Sequence, residues 1–404
     1  MDYTYTTYSY EDEEKRRARR QARREQMRRE KEKRERINRI ARVVIPTGGA
    51  ILLSLIVIVA AVSIVPKKAG AKGADVAKAA EISDISENVT ELTLYNNVRS
   101  EISEAIPTAE PEPETFINKN PIVDGKLKVG DVEFMAGYSA TATASTIYPS
   151  EDYSQSIYSI LIDESNGEIV AARNAKDRIF PASMTKIMTV LVAAEHVTDL
   201  DEEFVTTQEM ESYAYVNDCS AVNWDVDEHI TIRDLFYGTI LPSGGDAAYG
   251  LAEYVAGSQE AFVDMMNEKV KELGLTDTHF ANVVGVHDEQ NYSTAYDMAM
   301  ILKAAVENDL CREVLSAHTY VTTTTDQHPD GITISNWFLR RIEDKDSGGL
   351  VLCAKTGFVN ESRNCAASYM ISNSGVPYIC VTADAHSAWR AIYDHVGIYY
   401  HYTH

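Results

Sequence analysis

Residues 43–65 are a run of 23 positions without a charged side chain, rich in Leu, Ile, Val and Ala. As a helix rising ~1.5 Å per residue, such a run spans roughly 34 Å, enough for a ~30 Å hydrocarbon core. Pro46, Gly48 and Gly49 lie near its start, where a weakened helix is tolerable. The run also divides the chain electrically. Residues 1–42 carry 15 Lys/Arg against 9 Asp/Glu, and the rest carries 23 against 52. A basic head and an acidic body on either side of an apolar run imply two aqueous environments, not one globule. The positive-inside rule keeps the head in the cytoplasm and sends everything after Val65 outside. The rival is a cleaved signal peptide, with Ala69-Gly70-Ala71 as a cleavage site. Its basic region would be more than 40 residues long, and its apolar core would exceed the usual ~7–15. An uncleaved anchor is therefore expected.

The head alternates Glu and Arg at helical spacing over residues 11–42. This reads as a solvated helix flanking the membrane, with contact to anionic lipid or a cytoplasmic partner as the functional alternative. No aromatic interleaving accompanies the charge, which argues against a nucleic-acid partner. Residues 66–149 read as a stalk. They are first Ala/Lys/Gly-rich, then extended through the Pro/Glu stretch Pro107 to Thr115, with short alternating runs such as Lys126 to Phe134 left unassigned.

From about residue 150 the pattern is that of a globular domain reaching to 404. Strands are expected at 156–163 and 167–172, joined at Ser165-Asn166-Gly167, and again near 350–358, 364–372 and 377–384. Helical spacing appears at 182–196, 232–241, 245–256, 259–273, 294–306 and 387–400. Strands at both ends with helices between predict one sheet assembled from the two ends. The five cysteines, Cys219, Cys311, Cys353, Cys365 and Cys380, form no CxxC or Cys/His ligand pattern. Buried free thiols are expected, with a Cys353–Cys365 disulfide across a hairpin as the alternative.

Three short motifs carry chemistry. In Pro181-Ala182-Ser183-Met184-Thr185-Lys186, the proline opens a helix, and Ser183 falls in its first turn, where backbone N–H groups are free. Lys186, three residues on, shares the face of Ser183. The apolar run after it makes this a core helix, so Lys186 is either buried or faces a cleft. A lysine accepts a proton only if its pKa falls, through burial or a second cation. The second motif, Leu241-Pro242-Ser243-Gly244-Gly245-Asp246, is a loop entering a helix; alone, Ser243 reads as a cap. The third is Lys355-Thr356-Gly357 on a strand, where a Lys and a Thr suit a carboxylate and Gly357 permits close backbone approach. Each is weak alone. An SxxK helix, a second serine motif and KTG in this order are the set of penicillin-binding proteins and serine β-lactamases.

Together with Gly285-Val286-His287-Asp288 and Tyr292 to Ala299, the motifs resemble those of the low-molecular-mass D-alanyl-D-alanine carboxypeptidases over about residues 150–404. The resemblance implies a β-lactamase/transpeptidase-like α/β fold, a mainly antiparallel sheet flanked by helices with a helical subdomain. It implies Ser183 as nucleophile, Lys186 as general base and Ser243 as proton-transfer aid. Lys355 and Thr356 would bind the terminal carboxylate beside Gly357, and the N–H groups of Ser183 and Phe358 would form an oxyanion hole, about 2.7–4 kcal/mol per donor. It implies no cofactor and no metal, peptidoglycan stem peptides as substrate, β-lactams as covalent inhibitors, and a single-pass protein at the cell membrane with its catalytic domain outside.

The chain departs from the family pattern at Gly245, where the second motif normally ends in Asn. Tyr215-Val216-Asn217 is an alternative second motif with unmatched flanks. Arg363, in a turn less glycine-rich than the family's, either reaches the substrate carboxylate or lies on the surface. His279, His287 and Asp288 could suggest a metal site, but the last two match family context. Two other functions stay open: a different hydrolase of this type (endopeptidase or β-lactamase), and an attenuated or inactive wall-binding protein, motivated by Gly245.

Overall fold

The computed structural model describes residues 115–117 and 120–403. The expected cytoplasmic head, the membrane span and residues 66–114 of the expected stalk lie outside the described residues. No helix among the described residues is long and apolar enough to cross a membrane.

Three short strands, β1 (Ile122–Val123), β2 (Lys126–Val129) and β3 (Val132–Met135), form an antiparallel sheet. Phe134 of β3 is fully buried, its ring edge-on to Tyr369 at 5.6 Å. Strand β4 (Thr141–Ile147) then joins the main sheet, pairing parallel with β6 (Glu168–Arg173). The globular domain thus reaches back beyond residue 150, where composition alone placed its edge. The alternation over Lys126 to Phe134 is a hairpin that buries one apolar face, a signal too short to separate from linker in sequence.

The main sheet has six strands. Its remaining members are β5 (Tyr158–Asp163) and, from the other end of the chain, β13 (Gly349–Val359), β14 (Arg363–Ser372) and β15 (Pro377–Ala385). The order is β13-β14-β15-β5-β6-β4, antiparallel except at the β4 edge. Strands from both ends therefore meet at the β5–β15 pairing, as the pattern predicted. In β15 eight of nine residues are buried, because helices cover both faces.

Between these ends lie β7 (Arg178–Ile179), α1 (Thr185–Ala194), β8 (Glu203–Val205), α2 (Gln208–Val216), β9 (His229–Thr231), α3 (Ile232–Ile240), α4 (Gly245–Ala256) and α5 (Gln259–Glu272). Then follow β10 (Ser293–Thr294), α6 (Ala295–Glu307), α7 (Asp309–Ser316), β11 (Thr319–Val321), β12 (Thr333–Ser335) and α8 (Leu339–Ile342). Helix α9 (Ala388–Tyr402) closes the domain. It packs on β14 and β15 from one side and α6 from the other. Helix α1 is buried along its whole length, as an all-round apolar helix must be.

The expected helix 182–196 is shorter and divided. Residues Ala182–Met184 form a 3-10 turn, and the α-helix starts at Thr185. Ala182 sits at φ +47°, a left-handed conformation that breaks the regular helix ahead of Ser183. Helices α2, α7 and α8 were not legible in sequence. Helix α2 shows why: only Met210 and Ala214 are buried, one contact per turn among polar neighbours.

The β13–β14 register also decides the thiol question. Cys353 stands opposite Tyr369, whereas Cys365 stands opposite Gly357. The two positions lie four residues apart along β13, out of disulfide reach. All five cysteines are free, and every one except Cys219 is fully buried.

Candidate active site

The 3-10 turn bearing Ser183, the first turn of α1, the loop before α4 and strand β13 converge on one cleft. Lys186 is 1 % exposed and donates from Nζ to Ser183 Oγ at 3.1 Å and to the Val284 carbonyl at 2.8 Å. The 282–286 turn that presents this carbonyl is folded around Asn282, whose Oδ1 accepts from the N–H groups of Gly285 (2.7 Å) and Val286 (3.2 Å). Lys355 is likewise buried and donates to Ser243 Oγ at 2.9 Å and to the Thr356 carbonyl at 2.8 Å. Two amine–hydroxyl pairs thus arise from three distant stretches of the chain.

Burial pushes the Lys186 amine down to about 8, opposed in part by Cys219 and Asp246 nearby. Burial also drives Lys355 well below the ordinary lysine range, and the charge of Lys186 drives it further. Among the described residues neither amine has a carboxylate within ion-pair distance. Two buried amines in one cleft disfavour each other's protonation. The Lys186–Ser183 contact is short enough to carry a proton between the two groups whenever the amine is neutral.

Left-handed backbone also occurs beside the cleft. Ser243 adopts φ +64°, a second non-glycine left-handed residue beside the cleft after Ala182. Gly357 explains how β13 comes so near Ser183. A Cβ there would stand 2.9 Å from the Ser183 nitrogen and 3.0 Å from the Pro181 carbonyl oxygen. The protein's own Ser183 turn thus comes close to Gly357. Thr356 is half-buried beside it, and Phe358 is 58 % exposed at the mouth.

Asp246 was missed in sequence, hidden behind the glycines of its motif. Its carboxylate accepts from the N–H groups of Val222 (2.9 Å), Asn223 (3.1 Å) and Ala247 (2.9 Å), tying the 219–223 loop to the start of α4. A cavity of about 300 Å³ behind this loop is lined by Met210, Trp224 and Asp246 among others, but not by Ser183 or Lys186. The chemistry therefore belongs to the open cleft.

The other candidates lie apart from the amine–hydroxyl pairs. Asn217 of the alternative second motif caps the end of α2. Arg363 turns to Asp384 at 3.5 Å with its side chain 60 % exposed. Asp288 holds a turn by accepting from the Gln290 N–H at 2.8 Å, and His287 packs edge-on to Phe180 at 4.7 Å. His279 contacts the Gln290 carbonyl at 2.7 Å. Among the described residues no group of three or more His, Cys, Asp or Glu side chains is arranged to hold a metal.

Against known proteins, the family model described as D-alanyl-D-alanine carboxypeptidase matches residues 143–387. The chain belongs to that family. Among the family's curated members, D-alanyl-D-alanine carboxypeptidase DacF of Bacillus subtilis is 30 % identical over 207 residues, 51 % of each chain. D-alanyl-D-alanine carboxypeptidase DacC of Escherichia coli is 37 % identical over 160 residues, 37 % of this chain and 39 % of that one. The D-alanyl-D-alanine carboxypeptidase of Streptomyces sp. strain K15 is 31 % identical over 217 residues, 50 % of this chain and 72 % of that one. This chain thus spans about half the length of the first relative and about two-fifths of the second. The solved Streptomyces K15 DD-transpeptidase superposes with a TM-score of 0.57 at 26 % identity, covering 63 % of this chain and 97 % of that one. The α/β penicillin-binding, transpeptidase-like fold follows from both kinds of likeness.

Proposed function

We propose that this protein is a serine D-alanyl-D-alanine carboxypeptidase acting on peptidoglycan stem pentapeptides. The observation that carries the reading is the buried Lys186 amine, 3.1 Å from the Ser183 hydroxyl and with no carboxylate in ion-pair contact among the described residues. Ser183 Oγ attacks the carbonyl of the penultimate D-alanine, its proton passing to neutral Lys186. The resulting C–O bond replaces the C–N bond, the proton leaves on the terminal D-alanine amine, and water then hydrolyses the ester. Lys355 and Thr356 hold the terminal carboxylate beside Gly357. The backbone N–H groups of Ser183 and Phe358 receive the oxyanion. The hydroxyl of Ser243 is held by Lys355 rather than Lys186, so in this scheme it hands the proton to the leaving amine from the carboxylate side of the cleft.

The test is mass spectrometry of the full-length protein with a labelled β-lactam, then with a stem pentapeptide. The expected result is one adduct on Ser183 and release of D-alanine, with both lost in Ser183→Ala. Equal labelling of Ser183→Ala would overturn the nucleophile. Rapid β-lactam turnover would favour a lactamase, and binding without product a wall-binding protein.

The same proposal places residues 43–65 in the cell membrane as a single span, residues 1–42 in the cytoplasm, 66–114 as a stalk and the catalytic domain outside. The charge asymmetry supports this orientation. An N-terminal tag that external protease removes from intact cells would refute it.

A further inference from the structure

Position 245 opens α4 at the edge of the cleft and carries no side chain, yet the space in front of it is filled. A Cβ at Gly245 would lie 2.5 Å from Cys219 Cβ and 3.0 Å from its Sγ, nearer than any real packing allows. Cys219 is clamped there. Its N–H donates to the Ala214 carbonyl at 2.9 Å, and the Gly245 N–H reaches back to the Ser220 carbonyl at 2.7 Å. Asp218 before it sits at φ +54°, and Asp246 anchors the loop after it. Unlike the other four cysteines, Cys219 is partly exposed. It also lies within electrostatic reach of Lys186, each group shifting the other's titration.

We infer that Cys219 stands in for the side chain missing at position 245, as a positioning residue that packs the space beside the Lys186 amine and holds Ser243 and the start of α4 in place. The inference rests on the carboxypeptidase reading for its catalytic consequence, but the exclusion between positions 219 and 245 is a property of the fold alone. It follows that an asparagine cannot be added at 245 while Cys219 remains. Alanine at 219 would not relieve the clash, because the Cβ itself is the nearer atom; glycine would.

The test compares full-length wild type, Gly245→Asn, Cys219→Gly and the double variant Cys219→Gly/Gly245→Asn. Two measurements are made: the unfolding midpoint, and acylation by a labelled β-lactam resolved into a binding constant and a rate constant. Each single variant is expected to lower the acylation rate constant at least tenfold, with binding changed less than about threefold for Cys219→Gly. The double variant is expected to recover to within about threefold of wild type, and its unfolding midpoint to exceed that of Gly245→Asn alone. Gly245→Asn acylating at the wild-type rate would overturn the proposal, as would Cys219→Gly lowering the unfolding midpoint without changing the acylation rate. If Gly245→Asn does not fold, failure of Cys219→Gly to restore folding is equally fatal. The midpoints need no catalysis, so a wild type that takes no β-lactam, together with coupled midpoints, would refute the function alone.

Discussion

Lys186 and Lys303 are buried to the same degree, 1 % exposed each, in opposite chemical settings. Lys303, on α6, meets the Glu164 carboxylate at 2.8 Å and donates to the Met135 carbonyl at 2.6 Å. One turn along, Glu307 accepts from the Tyr138 hydroxyl at 2.8 Å, so this polar cluster fastens the N-terminal strands to the helix. Burial raises both carboxyls, Glu164 pulled back chiefly by Lys303 and Glu307, near 7, chiefly by the Tyr138 hydrogen bond and then by Lys303. Lys186 has a hydroxyl and a carbonyl instead, and a second buried amine in the same cleft. Burial of a charge is offset by an ion pair in one place and only by more distant groups, Cys219 and Asp246, in the other. A cation without an ion pair gives up its proton more readily, which suits the proposed base.

The largest expected effect separates these two kinds of lysine by activity. Lys186→Met should lower the acylation rate by about 10²–10⁴-fold, the usual worth of a positioned general base. Its unfolding midpoint should hold or rise, since the cost of burying a charge without an ion pair outweighs its two hydrogen bonds. A clear loss of stability would mean that Lys186 is a structural residue like Lys303.

Lys303→Met should do the reverse. It strands the Glu164 carboxylate, and urea unfolding should show a loss of about 3–5 kcal/mol. Lys303→Met/Glu164→Leu should recover most of that, because removing both charges leaves none unpaired. If the single variant unfolds like wild type, the pair is not what fastens the N-terminal strands.

A third buried titratable group sharpens the comparison from the stability side. His395 bonds through Nδ1 to Ser368 at 2.7 Å and through Nε2 to Thr382 at 3.1 Å, and burial lowers it from 6.5 to about 4. The unfolded chain therefore binds this proton first as pH falls. The contribution is complete above about 6.5 and is lost as pH drops to about 4, a change of about 3 kcal/mol. Unfolding at pH 7 and pH 4 in wild type and His395→Gln would measure it, with the variant losing less.

The smallest effect is the pH dependence of acylation. With Lys186 near 8 and active when neutral, the rate should rise with pH and level off above that value. Below it the rate should fall about tenfold per unit. A rate independent of pH between 6 and 9 would remove Lys186 from the base role.

How much of this was legible in the sequence differs between elements. The helices 232–240, 245–256 and 259–272 and the three C-terminal strands were visible to within a residue or two, since each has a one-sided or continuous apolar pattern. The strand Thr141–Ile147 was not, because six of its seven residues are exposed and pairing with β6 alone recruits it to the sheet. The hydroxyl–amine pair of Ser183 and Lys186 was readable from helical spacing. Its coupling to Ser243 and Lys355 was readable only by resemblance.

The sequence by itself determined the apolar run that segregates charge, the three-residue spacing of Ser183 and Lys186, and the membership of a family. Those are local properties, set by side chains a few residues apart. The tertiary structure decided that Lys186 has no ion-pair partner among the described residues, that Lys303 has one, that Cys353 and Cys365 miss each other, and that Cys219 occupies the room in front of Gly245. Those depend on which distant groups share a dry volume, and a linear order of residues does not specify distance through space.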